Sequence, residues 1–381
     1  STGNLCFESA SVALRPRKET SVVLRVLRWC GLVLALMMAT GWGPQSLMTK
    51  SIAGFIWTKL AFSVGVIVPL GAMVLAVFLR YGCLEFVGTL MRPIMHPLYK
   101  LPGRAALDNL TSWIGSYAVG LYMTRSLLTD GRYSRREAFI IATCFSTVSI
   151  GFVGVVADTL ELLHLFPLVF GTYFLAVYVL GIVMVRLWPV TFVPAEYVAE
   201  PRPEVAEEGP LLKIAYRRAI ERATSAPAPH RVAAGGLVDG LLLAAPILGT
   251  IVAVGTGAVW LTENTPLFEW LGMPLVPVLS LLGLPDPQLL APATLAGITE
   301  MYVPVLLVKE AALEGRFFIA VLSVSQLVFF SSVGPMMIEM FDDVPIRFRD
   351  LVGVFVIRTV FLVPLLAAVT HILAWAGAFA S

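Results

Sequence analysis

Charge is scarce in this chain. Asp, Glu, Lys and Arg make up 14% of its 381 residues, against 58% apolar residues and a mean hydropathy of +0.84. So little charge excludes an ordinary soluble domain and leaves a helical bundle in lipid. Cysteine and histidine are also few, four of each. Cys6, Cys30, Cys83 and Cys144 form no CxxC and no ligand-like spacing with the histidines, which excludes a disulfide scaffold and a zinc site. Cys30 and Cys144 lie inside apolar runs and read as small packing residues. No GxxxxGK[ST] or HExxH pattern occurs, so neither nucleotide hydrolysis nor zinc proteolysis has support, and no nucleophile–base pair suggests an enzyme. A net charge of +2 makes no case for a nucleic-acid partner.

What is present is a series of apolar runs long enough to cross about 30 Å of hydrocarbon. They cover 22–43, 55–80, 137–158, 165–188, 232–261, 316–340 and 351–375. The expected fold is therefore an all-α polytopic membrane protein with about seven transmembrane helices. The first run follows Arg15, Arg17, Lys18, Arg25 and Arg28, and Gly41-Trp42-Gly43-Pro44 is a poor cleavage site, so it reads as a retained span. Residues 4–9 read either as the remnant of a cleavage tag or as a native tail.

Two further apolar segments are broken by polar residues, 104–128 and 287–312. Basic residues flank the first on both sides: Arg80, Arg92, Lys100 and Arg104 before it, then Arg125, Arg132, Arg135 and Arg136. Both its ends are thus expected in the cytoplasm, which makes it a re-entrant hairpin. No Lys or Arg occurs between Arg231 and Lys309, as suits an outer face, so the second broken segment starts from outside. The expected organisation is a cytoplasmic tail at 1–21, an extra first span and loop at 22–54, and a first repeat at 55–188. A cytoplasmic linker with a basic amphipathic helix follows at 189–231, and a second repeat at 232–381.

The halves echo one another. Leu101-Pro102 and Leu284-Pro285 open the two broken segments, and Gly131-Arg132-Tyr133 and Gly315-Arg316-Phe317 follow them. The same order of elements with opposite sidedness is an inverted-topology repeat, an architecture of secondary transporters that bind solute at mid-membrane between the repeats.

The blocks "SWIGSYAVGLYMT", "GRYSRREAFIIATCFSTVSIGF", "ITEMYVP" and "SQLVFFSSVG" resemble the YjiH family of bacterial membrane proteins, which carry a nucleoside-recognition (Gate) domain. The layout is also similar to that of concentrative nucleoside transporters. That resemblance implies two opposed hairpins followed by partly unwound spans, and a bacterial inner-membrane location with the N-terminus in the cytoplasm. Gly297-Ile298-Thr299-Glu300 is similar to a hairpin motif of those transporters, whereas Ile114-Gly115-Ser116-Tyr117 has no carboxylate.

The candidate binding residues are polar groups at bilayer depth. The first hairpin offers Thr111, Ser112 and Ser116, and the second offers Thr294, Thr299 and Glu300. The spans that follow add Ser146, Thr147 and Ser149, then Gln326, Ser331 and Ser332. Pro335 is expected to kink its span and free a carbonyl near Ser331. Small hydroxyl residues also let helices pack closely, so each alone is ambiguous. Glu300 is the sharpest signal, because a carboxylate at this depth costs about 2.5–3.5 kcal/mol on insertion scales. It could carry a proton, bind a cation or meet a ligand. Asp239 and Arg358 read as groups near cytoplasmic span ends that snorkel or form ion pairs.

The function expected is secondary active transport of a small polar solute. Nucleoside-like compounds lead, while dipeptides, amino acids and metal ions remain open. H+ or Na+ is the coupling ion, and no cofactor is called for. The alternative is a non-transporting Gate-domain subunit of a larger complex. A homo-oligomer is left open.

Overall fold

In the computed structural model, residues 22–54, 56–62, 65–66, 68–114, 116–202, 204 and 209–379 are described. The tail at 1–21, Gly115, most of 203–208 and Ser381 therefore lie outside the described residues. Helix accounts for 74% of the structure, and strands are absent among the described residues.

The first helix, α1 (Val22–Thr40), is followed by π-helical turns at Lys50–Gly54 and Ile56–Ala61. The run expected to be one span over 55–80 is thus irregular until α2 (Val68–Arg80). Next comes α3 (Cys83–Tyr99), bent 76° from α2 at left-handed Gly82. The first broken segment is α4 (Ala105–Ile114) and α5 (Tyr117–Thr129). After the Gly131 turn, α6 (Arg135–Ile140) starts on a Ser134–Glu137 capping box and runs into π-helical turns at Ile141–Phe145. The chain then unwinds over 146–149 and resumes as α7 (Ile150–Thr159), and α8 (Phe166–Met184) follows with a proline in its first turn.

The second half begins with α9 (Leu211–Thr224) and the 36-residue α10 (Pro229–Asn264), which packs on α1 and α2. Two short helices, α11 (Leu267–Gly272) and α12 (Val276–Leu281), lead to α13 (Pro287–Ala296) and α14 (Val303–Leu307). Then α15 (Leu313–Ser325) unwinds over 326–332 before α16 (Val333–Met340), and α17 (Phe348–Trp375) closes the bundle. Helix pairs, broken helices and a final span therefore recur in one order in both halves.

Three helical stretches are long and apolar enough to cross a membrane: Arg135–Thr159 taken through its break, Leu163–Met184 and Phe348–Trp375. The bent α2–α3 pair passes the same test together. Apolar side chains face outward along them, among them Leu175, Val179, Val356, Val360 and Phe361, as lipid contact requires. The core lies where α15 packs on α8 and α17.

Two expectations need correction. Pro335 stands in the first turn of α16, where no helical donor is needed, so it starts a helix instead of kinking one. The segment after 189, read as a linker, which would ordinarily be flexible, is bonded back to the bundle along the part described. Glu196 and Arg202 pair with the backbone of Arg135 and Gly131, each at 2.8 Å. The Glu204 carboxylate accepts the Gly103 amide at 2.7 Å. One strap thus ties both ends of the α4–α5 segment. Gly131 is required there, because its φ is +70° and a Cβ would fall 2.1 Å from the Glu200 carbonyl.

Candidate functional site

Unwound backbone inside a membrane must find hydrogen-bond partners, and here the partners define a site. In the first break the Thr147 amide turns back to the Phe145 carbonyl at 2.8 Å, and the Tyr173 hydroxyl bridges the amide and carbonyl of Val148 at 2.8 and 3.1 Å. The second break opens with the matching turn, Val328 amide to Gln326 carbonyl at 2.7 Å, around Leu327 at φ +60°. A leucine in the left-handed region is strained, and such strain persists only where the surroundings enforce it.

The enforcing contacts come from the other broken segment. The amides of Phe330 and Ser331 donate to the carbonyls of Ile298 and Thr299 at 2.8 and 2.7 Å, pairing the bend between α13 and α14 with the second break. Gln326 donates its amide to the Thr294 carbonyl at 2.9 Å and to the Thr359 hydroxyl at 3.0 Å. Gly297 lets Gln326 approach at this crossing, since a Cβ there would lie 1.9 Å from Gln326 Oε1 and the amide would have to move. From the first half, Ser116 caps α5 by accepting the Ala118 amide, and the adjacent Tyr117 hydroxyl meets Ser332 Oγ at 2.9 Å. The Tyr117 ring also sits edge-on to Phe329, 5.6 Å between centroids. Tyr302 mirrors this across the halves, with its hydroxyl 2.9 Å from Thr159 and its ring edge-on to Phe152.

Glu300 is fully buried, and one carboxylate oxygen accepts the Tyr302 amide. Its other oxygen has no hydrogen-bond partner, and the same holds for Thr147 Oγ1, Ser325 Oγ, Gln326 Oε1, Ser331 Oγ and Arg358 Nη1. Buried polar atoms are normally paired, so these unmet ones, on or near the two unwound segments, make that region the candidate site for a polar ligand. Among the described residues no cluster of His, Cys, Asp and Glu has the form of a metal site.

The expected residues divide. Thr294, Thr299, Glu300, Gln326, Ser331 and Ser332 come together with Tyr117, the residue after Ser116, while Ser146, Thr147 and Ser149 line the first break, where Ser149 caps α7. Thr111 and Ser112 stand apart, with hydroxyls bonded to the Leu107 and Asp108 carbonyls of their own helix. A Cβ on Gly120 would fall 2.1 Å from the Ser112 hydroxyl, so α4 and α5 pack closely here. The Thr294 and Thr299 hydroxyls are likewise bonded to the Leu290 and Ala296 carbonyls of their own segment.

Arg358 is the largest miss. It does not snorkel. It is wholly buried, with Nε and Nη2 on the Ser325 carbonyl at 3.2 and 2.9 Å. A lone Arg far inside an apolar run with no acid on its face was the signal. Asp108 was also passed over: it is buried, accepting Thr124 at 2.8 Å and Tyr133 at 2.6 Å. Glu339, buried in α16, is held by Arg28 of α1 and by Thr250.

The chain is similar to known proteins. A family model described as Gate, nucleoside recognition, matches residues 61–163, from before α2 through α7. An uncharacterized protein of Alkalihalophilus pseudofirmus is 31% identical over 359 residues, covering 91% of this chain and 76% of its own length.

Proposed function

The chain belongs to the YjiH family of membrane proteins with a nucleoside-recognition (Gate) domain, and on that premise we propose that it is a secondary active transporter of a small polar solute. The observation that carries this is the meeting of both broken segments at one unwound stretch. The 298–299 carbonyls hold the amides of 330 and 331, and Tyr117 from the first half holds Ser332. Solute binds there, among the unmet polar atoms of the two breaks.

In this reading seven spans cross the inner membrane with the N-terminus in the cytoplasm. The α4–α5 and α13–α14 segments are re-entrant hairpins that enter from opposite faces as an inverted repeat. Ion pairs at the two ends of the bundle suit alternating access. Arg125 pairs with Asp342 and Asp343 at 3.0 and 2.8 Å near the cytoplasmic end, and Arg316 pairs with Glu161 at 3.0 Å near the outer end. Glu300 couples solute to H+ or Na+, because it has an unpaired oxygen beside the site. The description of the matched family makes nucleoside-like compounds the first candidates, with dipeptides and amino acids next.

A non-transporting subunit is the competing reading, favoured by one observation: the only carboxylate on the α4–α5 pair, Asp108, already has both oxygens paired. Solute counterflow in vesicles of purified protein separates the two. A carrier exchanges labelled for unlabelled solute with no energy source, and a subunit without transport activity leaves the label outside.

A further inference from the structure

We infer that the Arg358 guanidinium is the anion-binding end of the solute site, so that the natural solute carries a carboxylate or phosphate group. The inference rests on reading the crossing of the two breaks as that site, and it narrows the solute class beyond neutral nucleosides.

Arg358 is fully buried within α17. A guanidinium keeps its charge at any physiological pH. Two of its nitrogens are fixed on the Ser325 carbonyl, and Nη1 is buried with no nitrogen or oxygen partner. Among the described residues no carboxylate forms an ion pair with it. The groups facing it are the Cys144 thiol from the first broken span, a weak sulfur partner for the guanidinium, and the Tyr173 phenol from α8, both neutral when protonated.

An enclosed, uncompensated cation is an arrangement a fold avoids unless something completes it. Its position says what completes it. Ser325 ends α15 at the second break, Cys144 precedes the first, and Tyr173 holds the first break together. Arg358 therefore stands between the two unwound segments, on the carbonyl of Ser325 and next in sequence to Thr359, whose hydroxyl holds the Gln326 amide. Those neutral groups suit the uncharged part of a solute. The planar fork suits a carboxylate or phosphate, two geometries it binds with parallel hydrogen bonds. A guanidinium serving only as a strut for the Ser325 carbonyl would be replaceable by any buried amide donor.

The test is equilibrium binding, read by thermal shift, to purified wild type, Arg358→Gln and Arg358→Lys. The probes are matched pairs: a nucleoside 5′-monophosphate and its nucleoside, and a dipeptide and its C-terminal amide. Wild type should bind the anionic member of one pair roughly tenfold or more tighter than the neutral member. The pair that responds tells phosphate from carboxylate. Arg358→Gln should fold with undiminished thermal stability, since it removes a buried unpaired charge, and should lose the preference; Arg358→Lys should keep part of it. Equal binding of both members, retention of the preference by Arg358→Gln, or binding of no anion in either series overturns the inference. Thr299→Leu, tested with whichever probe binds, decides the parent reading separately. Probe binding lost in Thr299→Leu, with wild-type affinity for both members of the pair kept by Arg358→Gln, would keep the site and defeat the anion.

Discussion

The Tyr117 hydroxyl lies 2.9 Å from the Ser332 hydroxyl, though 215 residues separate the two in sequence. Tyr117 opens α5 directly after the break in the first hairpin segment, and Ser332 ends the second unwound stretch. The bond therefore joins the halves of the molecule where a helix start in one meets unwound backbone in the other. A double-mutant cycle with Tyr117→Phe and Ser332→Ala should give a coupling energy of about 0.5–1.5 kcal/mol in thermal unfolding. Additive effects would mean that the two hydroxyls do not support one another.

Gly297 has an ordinary helical φ of −55°, so its need for glycine is steric. A Cβ at that place would meet Gln326 Oε1 and push the side chain off Thr294 and Thr359. Gly297→Ala should lower stability by about 1–3 kcal/mol and abolish solute binding. Adding Gln326→Ala removes the clash and should recover stability while binding stays lost. Recovery of both would take Gln326 out of the solute site.

Sidedness has a direct chemical test. In a background without Cys6, Cys30, Cys83 and Cys144, a cysteine in place of exposed Lys213 should react with an impermeant reagent only from the cytoplasmic side. One in place of exposed Lys309 should react only from outside. The opposite pattern at Lys309 would undo the inverted repeat.

The strap over the first hairpin segment should also be measurable. Glu204→Ala removes the acceptor of the Gly103 amide. That amide should then exchange with solvent faster than in the wild type, while amides of α15 keep their protection. Unchanged exchange at Gly103 would show that Glu204 does not hold the segment.

Much of this arrangement was legible in the sequence, because the cost of polar groups in lipid makes them conspicuous. Glu300, Gln326 and the serines at 331 and 332 stand out against apolar neighbours, and the Gly-Arg-aromatic triplets mark the halves. What was hidden depends on distance in three dimensions. No pattern separates Ser112, spent on its own helix, from Ser116, which caps one at the site. Arg358 looked like a residue near a span end, and only the packing of α15 on α17 encloses it. Pro335 was legible as a helix disruptor but not as a helix start, because the break before it arises from pairing with 298–299. Residues 196–204 read as a linker by composition, and their backbone bonds to Gly131 and Arg135 leave no sequence signature.

Coupled transport through Glu300 is decided most directly by solute accumulation in vesicles under an imposed pH or Na+ gradient, wild type beside Glu300→Gln. Glutamine keeps the shape and the hydrogen-bonding capacity of the side chain but can neither titrate nor carry a negative charge. Wild type should concentrate solute against its gradient, while Glu300→Gln should exchange solute down equal gradients yet fail to accumulate it. Accumulation by Glu300→Gln at the wild-type level would contradict the coupling role, and the absence of any flux through the wild type would contradict transport itself.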